Sequence, residues 1–133
     1  LLVAKGAISV LNNWYRKGEA APSAPLLELD ATGTAFAYDS FGNVRGGIRT
    51  PFVDAPVAVL SGEGQPPASA FCGLFGVTTL LDAGTLSGLY PDTASYIEAI
   101  DSATDSAIGA GFLLPADGDL IKDRARTSGI GGL

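Results

Sequence analysis

Histidine and methionine are absent from the 133 residues, and cysteine and tryptophan occur once each. Without histidine, the usual base of a Ser-His or Cys-His hydrolytic site is missing. Cys72 stands alone, so no internal disulfide forms, no Cys/His cluster exists for zinc, and the redox compartment stays undecided. Beside Phe71, Leu74 and Phe75 this cysteine reads as a small buried hydrophobe. No apolar run of about 18 residues is present, so no helical membrane span is expected. Cations are scarce: eight against fourteen acids, a net charge of −6. Such a balance repels polyanions and anionic bilayers, which argues against nucleic-acid and membrane partners.

Glycine (18) and proline (8) are plentiful and imply many turns between short elements, while the length suits one modest core. Val3, Ala7, Val10, Leu11 and Trp14 recur at helical spacing, with Lys5, Ser9, Asn12, Asn13, Arg16 and Lys17 opposite and Gly18 as the stop. A helix already in phase at residue 1 or 2, with an apolar stripe to cover, is expected in a fragment of a longer parent. The apolar Leu1–Ala4 stretch lacks the form of a signal peptide.

Pro22 and Pro25 make an extended connector. Leu26–Leu29 and Thr34–Tyr38 flank Asp30-Ala31-Thr32-Gly33, a β-hairpin pattern, and Asp39–Asn43 forms a second turn. Val57–Leu60 reads as a short strand, followed by the loop from Ser61 to Pro67. Beyond Phe71 the pattern reads as helical. Asp82 caps a short helix through Leu86 and Leu89. Asp92 or Thr93 caps a longer one, with Ile97, Ile100, Thr104, Ala107, Ile108 and Gly111 on one stripe. Pro115 opens the last helix, with Leu120, Ile121 and Ala125 inward and Gly129 past its end.

Few residues of the chain fit a catalytic pattern. No serine has the G-x-S-x-G context, including Ser61, Ser87 and Ser128, each of which has a glycine beside it. The three lysines (Lys5, Lys17, Lys122) read as solvated helix faces, which leaves a Ser-Lys dyad without support. Asp101 and Asp105 read as a solvated face, and Asp117, Asp119 and Asp123 as acids favoured at a helix start. Lys122, Arg124 and Arg126 sit where cations complement the dipole at the end of the last helix. No metal-ligand spacing or phosphate cradle is present, and no cofactor is expected.

The most individual stretch is Gly46-Gly47-Ile48-Arg49-Thr50-Pro51. Gly46 and Gly47 permit close backbone approach, and Arg49 presents a planar five-donor fork suited to a carboxylate. Two readings stay open for Arg49. It contacts substrate or holds a catalytic loop, or it forms a structural ion pair with Asp54 or with an acid elsewhere.

That stretch, together with Trp14, Gly18, Pro22-x-x-Pro25, Asp39-x-x-Gly42-Asn43, Val53-Asp54-x-Pro56, Phe71-Cys72-x-Leu74-Phe75-Gly76, Leu86-x-x-Leu89-Tyr90-Pro91 and Gly111–Leu114 with Asp117, resembles the C-terminal region of the bacterial α/β-hydrolase domain-containing protein family. The resemblance covers nearly the whole chain. It implies an α/β fragment: residues 1–19 a helix of the hydrolase core, and residues 20–133 a family-specific C-terminal extension packing on the parent's sheet. It also implies a Ser-His-Asp/Glu triad upstream, an ester or amide substrate for the parent, and no catalytic residue here. The partner is then the remainder of the parent polypeptide. Arg49, Gly46 and Gly47 become substrate-binding or site-supporting residues. The alternatives are an autonomous non-enzymatic binding module and, more remotely, a small enzyme using paired carboxylates.

Overall fold

The computed structural model describes residues 2–63 and 75–131. Along the chain these form α1 (Leu2–Lys17), α2 (Pro51–Asp54), β1 (Ala58–Ser61), β2 (Val77–Leu80), α3 (Ala83–Leu89), α4 (Thr93–Gly109) and α5 (Pro115–Thr127). Cys72 and the first four residues of the Phe71–Gly76 motif lie outside the described residues.

The helices of the second half start where their polar caps dictate. Asp82 accepts the backbone N–H of Thr85 at the start of α3, and Asp92 accepts that of Ser95 at the start of α4. Pro115 opens α5 at the one position where a missing N–H costs nothing. The core lies between α4, α5 and α2: Ile100, Ala107, Ile121, Ala125 and Leu113 are buried with Ala55, Tyr90 and Tyr96. Tyr90 and Tyr96 meet edge to face, centroids 5.0 Å apart, and the Tyr90 hydroxyl donates to the Pro56 carbonyl at 3.1 Å. Burying an aliphatic or aromatic side chain of this size stabilises by about 1.5–3 kcal/mol, so these few residues hold the fold together.

The middle of the chain is a small meander. Isolated bridges join Leu29 to Phe36 and Tyr38 to Val44, which gives the hairpin without extended strands. Asp30 holds its turn by accepting from Thr32 and Thr34, and Asp39 holds the next by accepting the N–H groups of Phe41 and Asn43. Three backbone bonds close a ring: Glu28 N–H to Arg45, Arg45 N–H to Ala37, and Ala37 N–H to Glu28, at 2.9–3.1 Å. Three chain segments thus meet at one point and satisfy one another.

Several expectations need correction. The segment after Phe71 is not helical at Val77–Leu80: it is β2, antiparallel to β1 with Ala58 opposite Leu80 and Ser61 opposite Val77. Two threonines and a valine favour the extended chain there, and β1 supplies the partner. Pro51–Asp54 is a single helical turn opened by its proline, which no apolar periodicity announced. Gly111 is not on the α4 stripe, because the helix stops at Gly109. Leu120 is not core. It is 59% exposed, and Asp117, Gly118, Ile121 and Ala125 form the buried side of α5 instead.

The inward face of α1 also differs from its apolar stripe. Val3 and Val10 are half-buried, but Ala7, Leu11 and Trp14 are exposed, and Gly6 is the one buried residue of the helix. A β-carbon on Gly6 would lie 2.7 Å from the Phe112 carbonyl oxygen. The helix turns its bare side toward the α4–α5 connection because only there can the backbones meet.

Candidate functional site

The Gly46–Pro51 segment runs between the meander and the start of α1. Gly46 and Gly47 have φ of 76° and 67°. A β-carbon on Gly46 would overlap the Leu26 carbonyl, and one on Gly47 would sit 2.7 Å from Leu27 Cδ2. The Gly47 N–H donates to the Pro25 carbonyl at 3.0 Å. Both glycines are therefore required by the crossing of this segment over Pro25–Glu28.

Arg49 projects into the corner between this crossing and α2. Its Nε donates to Asp54 and one terminal nitrogen to the Val44 carbonyl at 2.9 Å. The other donates to Asp39 at 3.1 Å and to the Val53 carbonyl at 3.4 Å. One guanidinium thus ties the second turn of the meander to the last two residues of α2. Desolvation pushes the Asp39 carboxyl up, but the Arg49 bond and the backbone donors Asn43 and Phe41 outweigh it, leaving the group below the usual carboxylate range. Burial likewise disfavours the Arg49 cation, while Asp54 and Asp39 more than compensate and raise its pKa.

Beside Arg49 opens an apolar cleft of about 180 Å³, walled by Leu2, Val3, Ile48, Phe52, Phe112 and Leu113. An adjoining groove of about 280 Å³ continues under α1 past Ala7, Val10 and Pro22. Arg49 lines the cleft, although its donors point to carboxylates and carbonyls of the chain itself.

Among the described residues, the three glycine-flanked serines are engaged in local hydrogen bonds. The Ser61 hydroxyl is engaged with the Glu63 backbone, Ser87 donates to the Ala83 carbonyl, and Ser128 donates to the Ala125 carbonyl. No group of three or more potential metal ligands occurs among the described residues, and no helix there is long and apolar enough to cross a membrane.

The charged residues need correction too. Lys122 does not lie on a free solvated face but pairs with Asp105 at 2.6 Å, and Arg126 pairs with Asp101 at 3.1 Å, so the supposed polar face of α4 is clamped to α5. Lys5 pairs at 2.7 Å with Asp117, whose side chain is only 5% exposed. The second oxygen of Asp117 is buried and has no partner among the described residues. Helical periodicity could not give these pairs, because each joins elements distant in sequence.

Asn43 closes the Asp39–Asn43 turn and also has a structural role beyond it. It is 1% exposed. Its amide nitrogen donates to the Ala58 carbonyl at 3.4 Å and its oxygen accepts the Leu60 N–H at 2.8 Å. A single side chain thus pairs with the edge of β1 as a neighbouring strand would.

Five helices and a two-stranded antiparallel sheet, with an arginine-braced crossing beside an apolar cleft, make up the described residues of this small α/β unit. The sequence matches the family described as "Alpha/beta hydrolase domain" over residues 1–123, and the chain belongs to that family. Neither a curated protein nor a solved structure matches it.

Proposed function

We propose that this chain is the non-catalytic C-terminal portion of a serine hydrolase, packing on the hydrolase core and shaping the approach to its active site. The carrying observation is a family match over residues 1–123 in a chain with no histidine and no G-x-S-x-G serine. The exposed Leu11 and Trp14 on α1, 57% and 58% accessible, support a role in which this helix is covered by the remainder of the hydrolase. In this reading the substrate is a small ester or amide. Arg49 supports the site by holding the Gly46–Pro51 segment against α2, since its donors are engaged within the chain.

A fluorophosphonate probe tests the proposal. The isolated chain is expected to remain unlabelled and inert toward p-nitrophenyl esters, whereas native material carrying a longer polypeptide labels. Labelling of the isolated chain overturns the reading. So does native material whose intact mass is near 13.4 kDa with no larger partner.

A further inference from the structure

The two-stranded sheet has two outer edges, and among the described residues only one is closed. The Leu81 N–H donates to the Val57 carbonyl at 3.0 Å, which makes residues 57 and 81 a hydrogen-bonded pair. With the register of the sheet, alternation then makes Val59–Thr79 and Ser61–Val77 the next such pairs. The backbone groups of Ala58 and Leu60 consequently point away from β2, and the Asn43 amide takes the Ala58 carbonyl and the Leu60 N–H. By the same alternation the N–H and C=O of Thr78 and Leu80 point away from β1. Those four groups have no partner among the described residues. Thr78, Thr79 and Leu80 are all exposed, Leu80 at 77%.

We infer that the β2 edge is a strand-pairing surface and that its occupant is β2 of a second copy, antiparallel about a two-fold axis at Thr79. Open donors and acceptors at Thr78 and Leu80 lie symmetrically about Thr79, so Thr78 of one copy meets Leu80 of the other in four backbone hydrogen bonds. The two Thr79 residues then face each other as a close non-hydrogen-bonded pair, which threonine favours. Charge does not oppose this partner at the edge itself. The chain carries −6, which opposes contact between copies over most of the surface, yet Phe75–Leu81 contains no charged residue. Neither a charged side chain nor a proline, two of the devices that protect an edge, is present there. An edge of four residues buries far less than the roughly 1,200 Å² of a standard interface, so the dimer is weak, with Kd of about 0.1–1 mM.

Sedimentation velocity and amide NMR of the 133-residue chain over about 0.02–1 mM test this independently of any hydrolase role. The expected result is a concentration-dependent dimer with shift changes centred on the Thr78 and Leu80 amides. Thr79→Lys and Thr79→Glu should each abolish it by placing like charges opposite one another, and an equimolar mixture of the two should restore it. Thr78→Pro removes an outward N–H and no β1–β2 bond, so it should give a folded monomer, checked by circular dichroism. A monomer throughout the range overturns the inference. A dimer indifferent to these substitutions, or a charge-swapped mixture that stays monomeric, overturns it as well.

Discussion

Gly6 of α1 and the carbonyl of Phe112 approach so closely that a β-carbon on the glycine would lie 2.7 Å from the oxygen. The contact joins residues at opposite ends of the chain and sets how α1 sits on the α4–α5 connection. Gly6→Val should force the helix outward and destabilise the chain by about 1–3 kcal/mol, as overpacking does. Urea denaturation measures this, and an unchanged midpoint would show that α1 does not depend on the contact.

Lys5 and Asp117 form the charged tie between α1 and α5. Lys5 is half exposed while Asp117 is buried, which places the pair between the near-zero worth of surface bridges and the several kcal/mol lost when a buried one is broken. Lys5→Met should therefore cost about 1–2 kcal/mol. A double-mutant cycle with Asp117→Asn should return a coupling of about 1 kcal/mol. Strict additivity would mean the two groups do not interact in solution.

Arg49→Lys and Arg49→Ala separate charge from geometry. A lysine cannot span Asp54, Asp39 and the Val44 carbonyl together. Arg49→Ala should lose about 2 kcal/mol, with Arg49→Lys recovering less than half of it. Full rescue by lysine would reduce the role of Arg49 to its charge alone.

Asn43→Ala removes both bonds to the β1 edge and leaves the Leu60 N–H and the Ala58 carbonyl without them. Expected destabilisation is about 2–4 kcal/mol, since two backbone groups lose partners at a site closed to water. Asn43→Asp keeps the acceptor and loses the donor, so it should fall between. Hydrogen exchange at the Leu60 amide reports the event locally, and its protection should drop in the alanine variant.

Two pH limits follow from groups at opposite ends of the scale. Asp39 titrates below its unfolded value, so its contribution is present above about pH 4 and is lost as the pH falls through the lower folded value. Tyr90 is pushed by burial, and secondarily by Tyr96, to about 12. Its stabilisation is complete below the unfolded value of about 10 and is lost as the pH rises from there to about 12. Tyrosinate absorbance followed alongside circular dichroism should show Tyr90 ionising together with unfolding. Ionisation near pH 10 in a folded chain would contradict its burial.

The helices of the second half were legible because their signals are local. Asp82 and Asp92 bond to N–H groups three residues on, Pro115 fixes its own φ, and a buried stripe repeats within one element. The hairpin and the Asp39–Asn43 turn were legible for the same reason. β2 was not, because a four-residue strand has no periodicity of its own and exists through its pairing with β1. Nor was the buried side of α1, and that of α5 was legible only in part: Ile121 and Ala125 are buried as expected, but Leu120 is not. An apolar stripe shows which residues gain from burial, but Gly6 against the Phe112 backbone and Gly118 against the Ile108 and Thr104 side chains show that close packing decides which side turns inward.

For the candidate site, residue types determined what chemistry is missing. A chain without histidine or a nucleophile elbow contains no Ser-His triad in any fold, because no arrangement supplies an absent base. They also marked Gly46, Gly47 and Arg49, whose shape and charge are unusual in any context. Only the tertiary structure decided what Arg49 holds. Asp39, Val44, Val53 and Asp54 converge on one guanidinium because the meander folds back over Pro25–Glu28. The same holds for Lys5 with Asp117 and for Asn43 with β1. A side chain's donors are written in the sequence, but their partners are chosen by which distant segments the buried core brings within about 3 Å.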